Sequence, residues 1–161
     1  MTIPDEYRAV MRNLAEGVTV ITTEADGEVF GVTATSFTSM SLEPPLVGVA
    51  LAKTSRTHGA VGRSRKFAAN ILREDQAEIA GKYAETMATD RFDRVDVKVG
   101  STGMPLLLGV IGSLECRVTE RFDAGDHTIF LGEVLEITLD EGRPLIYFQG
   151  EYRRLEGDGR R

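Results

Sequence analysis

The sequence predicts a mainly β fold with peripheral helices, a barrel or a sandwich, and two observations carry that prediction. Short β-branched or alternating runs recur along the whole chain, separated by turn residues, whereas only three segments hold a helical spacing. The length of 161 residues fits one domain, and no internal repeat or linker divides it. Residues 1–155 read as that domain and residues 156–161 as a frayed polar tail.

The elements follow in order. Residues 4–16 form an amphipathic helix, with Tyr7, Val10, Met11 and Leu14 on a face expected to be buried. Pro4, Asp5 and Glu6 suit its first turn and Gly17 its stop. Residues 18–23 and 29–35 are strands joined by an Asp26-Gly27 hairpin turn. The apolar run 46–52, after Pro44-Pro45, is a buried strand. A helix over 54–65, a strand over 66–72 and a helix over 74–86 come next, with Ile79 and Tyr83 on one face of the last. The final third is strand: 107–121, 126–139 and 144–148. In 107–121, Leu114, Cys116 and Val118 share one face and Glu115, Arg117 and Thr119 the other. In 126–139, Ile129, Leu131, Leu135, Ile137 and Leu139 share the face expected to be buried, together with His127 and Glu133.

Composition excludes several function classes. Hydrophobic residues at 42% and charged residues at 27% are ordinary for a globular chain. The net charge of -6 argues against nucleic acid, and the basic clusters at 63–66 and in the tail read as solvated faces. One cysteine, Cys116, allows no internal disulfide and fits a reducing cytoplasm. No signal peptide opens the chain, and the longest apolar run, 104–111, is too short to span a bilayer, so a soluble cytoplasmic protein is expected. A Rossmann fingerprint, a P-loop and a nucleophile elbow are all missing, and two distant histidines with one cysteine make no metal site.

Three stretches carry chemistry. Six of the nine residues 33–41 bear hydroxyls. In an extended chain Thr33, Thr35, Ser39 and Ser41 project to one side with Phe37 among them, a wall suited to the edge of a heteroaromatic ring; a solvent-facing Ser/Thr strand is the plainer reading from composition. Lys53, Ser55, Arg56, Thr57 and His58 open a helix, where free N–H groups and cations favour an anion; simple N-capping on a solvated basic turn is the alternative. His127 falls on an apolar parity, which calls for a partner or a ligand, and a satisfied core histidine is the plainer reading. Cys116 reads as a buried structural thiol.

Taken in order, these segments resemble the flavin reductase-like family. The likeness rests on seven motifs: Gly17-Val18-Thr19-Val20-Ile21-Thr22; residues 31–41 with Pro44-Pro45-Leu46; Ser55-Arg56-Thr57; Phe67-Ala68-Ala69-Asn70; Asp90-Arg91-Phe92; Gly125-Asp126-His127 with Gly132-Glu133-Val134; and Pro144-Leu145 with Gly150-Glu151-Tyr152. The resemblance implies an FMN-binding split β-barrel. It implies that Thr33, Ala34, Thr35, Ser36, Phe37, Ser39 and Ser41, with Lys53, Ser55, Arg56 and Thr57, hold the isoalloxazine and phosphate of FMN or FAD. Leu51, Phe67 and Asn70 would line the same pocket, with Arg91 and Phe92 near its edge. His127 would sit over the open ring face as the catalytic residue, and Tyr152 and Arg153 would help to hold NADH or NADPH. Position 35 is Thr where relatives often carry Asn. The activity implied is hydride transfer from NAD(P)H to the flavin, and the reduced flavin then passes to a partner monooxygenase. A homodimer with sites between subunits, no metal, no nucleic acid and no membrane complete the implication. A non-catalytic flavin-binding protein, a split-barrel oxidase with tightly held flavin and a cofactor-free interaction module are the competing readings.

Overall fold

The structure is a computed structural model, and it describes residues 2–84 and 95–157. Along the chain run α1 (Ile3–Met11), β1 (Glu16–Gly17), β2 (Thr19–Ala25), β3 (Glu28–Ala34), β4 (Thr38–Leu42), β5 (Pro45–Ala52), α2 (Arg56–Ser64) and β6 (Lys66–Ile71). They are followed by α3 (Ala77–Ala84), β7 (Val97–Val99), β8 (Pro105–Leu107), β9 (Gly112–Ala124), β10 (His127–Leu139), β11 (Leu145–Phe148) and β12 (Glu151–Arg154). The mainly β class with peripheral helices is therefore the observed one.

Seven strands form one antiparallel sheet in the order β3-β2-β6-β9-β10-β5-β4. Its two edge strands, β3 and β4, are neighbours in the chain, so residues 35–37 cross from one edge to the other. β3 also touches β5 without pairing to it. The sheet is thus a barrel left open along one seam, and the crossing segment lies on that seam. The hairpin before it turns at Asp26-Gly27 as the sequence predicts, with both residues at positive φ, 56° and 79°.

Inside the barrel, Ile21, Val49, Phe67, Cys116 and Phe130 pack together, and Val61 of α2 joins them. A second core, with Val18, Val20, Leu72, Tyr83 and Leu145, lies on the other face of β2. β2 is consequently buried on both faces, which explains its nearly continuous apolar and Thr sequence. β1, β11 and β12 make a small sheet beside this second core. Glu115, on the polar parity of β9, is nevertheless buried: its carboxylate accepts from Ser101 N (3.1 Å), Thr102 N (2.8 Å) and the Thr102 hydroxyl, which fastens the 100–103 loop over it.

Several sequence expectations are corrected. α1 ends at Met11 rather than Glu16, and its apolar face is exposed: among the described residues no element covers Tyr7, Val10 or Leu14. In β10 the inward face is Thr128, Phe130 and Gly132, while Leu135, Ile137 and Leu139 are exposed. Both parities of that strand carry apolar residues, and register shifts at Leu131/Gly132 and Val134/Glu136 break the alternation. The inward parity is fixed by packing: a Cβ on Gly132 would lie 2.7 Å from Phe67 Cζ. Strands β1, β4, β7, β8 and β12 add to those expected from sequence.

Candidate functional site

A cleft of about 280 Å³ opens at the seam. One wall is the end of β3 and the start of the crossing, Val32, Thr33, Ala34, Thr35 and Ser36; the opposite wall is the end of β5, Ala50, Leu51 and Ala52. Ser55, the N-cap of α2, closes one end, His127 stands at the start of β10, and Ala84 of α3 completes the lining. The fold explains the position. The β4–β5 ladder stops at the Thr38↔Gly48 pair. Past it, Ser36 Oγ donates to Ala50 O (2.8 Å) and accepts from Ala50 N (3.1 Å), a side chain standing in for the missing strand. Beyond Ala50, β5 has no strand neighbour on that side among the described residues.

The hydroxyls of the wall are not equivalent. Thr33 Oγ1 donates to Ala80 O at 2.6 Å, and Ser36 Oγ is held by Ala50. Thr35 is the one of the three whose side chain has no hydrogen bond among the described residues. At the α2 start, Ser55 Oγ accepts from Thr57 N (3.2 Å), and the turn is clamped by Ser55 N to Ala52 O and Lys53 N to Asp126 O, both 2.9 Å. Thr57 Oγ1 is buried with no partner among the described residues.

His127 is half-buried, on the outward parity of β10, not the buried parity expected from sequence. Its Nδ1 lies 2.7 Å from Asp126 Oδ1. An ionised carboxylate only accepts, so Nδ1 carries the hydrogen, and in the neutral ring Nε2 is then the acceptor. The hydrogen bond from His127, then the imidazole's charge, hold the Asp126 carboxyl below the ordinary carboxylate range.

Of the residues singled out from sequence, Thr33, Ala34, Thr35, Ser36, Leu51, Ser55 and His127 meet in this cleft. Thr57 lies just beneath the helix start. The others lie elsewhere. The run 33–41 is not one strand: Phe37 packs on the barrel core, and Ser39 and Ser41 sit on β4 away from the lining. Lys53 lines a neighbouring cleft, and Arg56 stands over the Phe30 ring (5.4 Å) beside Glu28. Tyr152 packs on Tyr147 in the small sheet, and Arg153 pairs with Glu151 at 2.7 Å.

Phe67 and Asn70 have no exposed surface and are core residues, a correction to their expected place in the pocket. Asn70 Nδ2 donates to Val20 O (3.0 Å) and Thr22 Oγ1 (3.1 Å), while its Oδ1 accepts from Leu107 N (3.0 Å) and Ser113 Oγ (3.1 Å). That fills the amide's whole capacity. Arg91 and Phe92 lie outside the described residues. Sequence reasoning missed Val32, Ala50, Ala52 and Ala84; the small residues alternating at the end of an apolar strand were the available signal for Ala50 and Ala52. Among the described residues no group of acidic, His or Cys side chains could hold a metal.

An open-seamed barrel with a cleft between its edge strands and a helix start at one end is the architecture of the split-barrel flavin reductases. Residues 11–156 match the flavin reductase-like domain, and the chain belongs to that family. It is 39% identical over 147 residues to the reductase component of a 4-nitrophenol 4-monooxygenase/4-nitrocatechol 2-monooxygenase from Rhodococcus opacus, an alignment covering 91% of this chain and 78% of the relative. It is 35% identical over 156 residues to the reductase subunit of a flavin-dependent monooxygenase from Rhodococcus jostii, covering 96% and 80%. Among solved structures, the NADH:FAD oxidoreductase of Streptomyces globisporus, in complex with NAD and FAD fragments, superposes with a TM-score of 0.92 at 36% identity, covering 98% of this chain and 96% of that one.

Proposed function

We propose that this chain is the reductase component of a two-component flavin-dependent monooxygenase: it transfers hydride from NAD(P)H to FMN or FAD and releases reduced flavin to its oxygenase. The observation that carries the reading is the convergence of Thr35, Ser55 and His127 on one cleft. The residues present fit the ligand. Ala50 and Ala52 are small enough for a flat ring to approach, Thr35 offers an unused hydroxyl, and the α2 start with the unpartnered, buried Thr57 hydroxyl suits a phosphate.

Flavin bound there supplies the ring that accepts the hydride. The chain's own part is binding and orientation. Thr35 donates to or accepts from the ring edge, and Ser55 with the first N–H groups of α2 holds the phosphate. His127, its ring steadied by Asp126, presents Nε2 at the mouth of the cleft. There it positions the nicotinamide or takes up a proton. Tyr152 and Arg153 act on the dinucleotide only from another copy of the chain, since neither lines this cleft.

A homodimer belongs to the same proposal. Phe122, Leu135, Ile137 and Leu139 are exposed, and Phe122 pairs with Ile129, which in turn pairs with Ala50 of the cleft. A second copy covering this strip would also complete the site. A cytoplasmic location fits the buried free thiol of Cys116; among the described residues no helix is long and apolar enough to cross a membrane.

The test is steady-state NADH and NADPH oxidation with FMN, FAD and riboflavin in turn, followed by gel filtration. Flavin-dependent turnover with flavin released from the protein supports the proposal. Failure to oxidise either nucleotide with any flavin refutes it.

A further inference from the structure

His127 stands at a hairpin tip. β9 ends at Ala124 and β10 begins at His127, so only Gly125 and Asp126 turn between them. The β10 ladder starts at His127, opposite Ala52 on one side and Ala124 on the other. The side-chain hydrogen bond of His127 goes to Asp126, which is itself exposed in the turn. Where the ring stands at the seam cleft therefore depends on what holds the tip.

The tip is tied to the β5–α2 segment. Lys53 N donates to Asp126 O at 2.9 Å, which joins the turn to the end of β5. A further tie runs through Thr128. Strand alternation turns its side chain to the inward face, opposite His127, where it is buried. Its hydroxyl lies 3.3 Å from Asp123 Oδ1 and 2.8 Å from His58 Nε2. An ionised carboxylate only accepts, so the one hydroxyl hydrogen goes to Asp123, and His58 Nε2 must donate to Thr128. The His58 ring packs edge-on against Phe130, with centroids 5.4 Å apart, and Phe130 has no exposed surface. A fixed ring in the first turn of α2 thus grips β10 one residue past His127. Neither His58 nor Thr128 lines the seam cleft.

We propose that His58, acting through Thr128, is a positioning residue for His127: the pair locks the β9–β10 tip against α2 and so fixes where the His127 ring stands. The inference rests on the reading of His127 as the group that orients the nicotinamide. A misplacement of about 1 Å in such a site can cost up to about a hundredfold in rate, and a loosened tip costs part of that.

The experiment is a kinetic double-mutant cycle on the full chain. Wild type, His58→Leu, Thr128→Val, His127→Ala and the two doubles with His127→Ala are compared for kcat and KM with NADH, flavin affinity and Tm. His58→Leu and Thr128→Val should each lower kcat/KM for NADH by about three- to tenfold and change flavin affinity by less than about twofold. In the His127→Ala background neither should lower it further by more than about twofold, because the ring they position is gone. Thr128→Ser keeps the hydroxyl and His58→Gln keeps an N–H donor, so both should recover most of the rate. Losses that multiply in the doubles overturn the inference. So do a lowered Tm with unchanged kinetics, a parallel loss of flavin affinity, or no recovery in Thr128→Ser. If His58→Leu does not fold, Thr128→Val carries the cycle alone. These outcomes leave the flavin reductase reading standing; a wild type that oxidises neither nucleotide with any flavin sinks that reading and this inference together.

Discussion

Replacing Asn70 by Ala separates a core role from a ligand-binding one. The substitution removes four hydrogen bonds, from Asn70 to Val20 O, Thr22 Oγ1, Leu107 N and Ser113 Oγ. Two of the groups left behind soften the loss. Thr22 Oγ1 still donates to Pro105 O at 2.5 Å, and the Ser113 hydroxyl can rotate. Leu107 N–H is a buried backbone group with no such freedom, whereas Val20 C=O keeps its place in the β2–β6 ladder. Each unsatisfied group costs about 1–3 kcal/mol. With the weaker contributions of the hydroxyls, the total destabilisation is about 3–5 kcal/mol. For a chain of this size that lowers Tm by roughly 6–20 °C. The assay pairs thermal or urea unfolding with FMN and FAD binding well below the transition. Asn70 touches no residue-lined part of the seam cleft, so flavin affinity in the folded variant should change by less than about threefold. Unaltered stability with a large loss of flavin affinity would refute the core assignment and return Asn70 to the pocket.

Other substitutions probe the site and the barrel separately. His127→Ala should lower kcat/KM for NADH by about ten- to a hundredfold and spare flavin affinity, read by steady-state kinetics and fluorescence titration; equal loss of both would dismiss its positioning role. Replacing Ser55 and Thr57 together by Ala should weaken FMN far more than riboflavin, and parallel losses would reject the phosphate assignment. Gly132→Ala should destabilise by about 1–3 kcal/mol, because its Cβ would meet Phe67 Cζ at 2.7 Å and Cys116 Cβ at 3.0 Å; a neutral effect in chemical denaturation would contradict that packing. Burial pushes the Cys116 thiol up to about 12, so it should resist alkylation at mildly alkaline pH in the folded protein and react once unfolded. Burial first, then Arg121 and Lys53, lowers the His58 pKa below 6.5. The unfolded chain therefore binds the extra proton first, and stability should fall as pH drops through 6.5, a dependence that His58→Gln flattens.

What could be read from the sequence follows from where its signals are local. The Asp26-Gly27 hairpin, the α2 cap at Ser55 and the buried β5 run all stand as expected, because each is decided by neighbouring residues. Long-range packing decided the rest. The amphipathic face of α1 is real, yet nothing in sequence says that this chain leaves it uncovered. The parity of β10 depends on Phe67, some sixty residues away, filling the space over Gly132. Asn70 looks like a site residue in a motif and proves to be the junction of four elements, β2, β6, β8 and β9.

The hydroxyl-rich run 33–41 shows why composition pointed to the right place for an incomplete reason. As one extended wall, all its alternate hydroxyls would face a ligand. Instead the run leaves one edge of the sheet and joins the other, so it must change direction at residues 35–37. Unpaired strand edges leave backbone groups unserved, and short polar side chains serve them, as Ser36 does at Ala50; Thr33 instead ties the β3 edge to α3 through Ala80 O. Two of the six hydroxyls, Thr33 and Ser36, are therefore taken up in holding the seam; of those left over Thr35 lies on the cleft wall, and Thr57 adds an unpartnered hydroxyl at the helix start. The cleft exists because the barrel does not close there, and its chemistry is what remains after the seam has satisfied itself. A substitution at Ser36 should accordingly loosen the β5 edge and the flavin together, whereas one at Thr35 should affect the flavin alone.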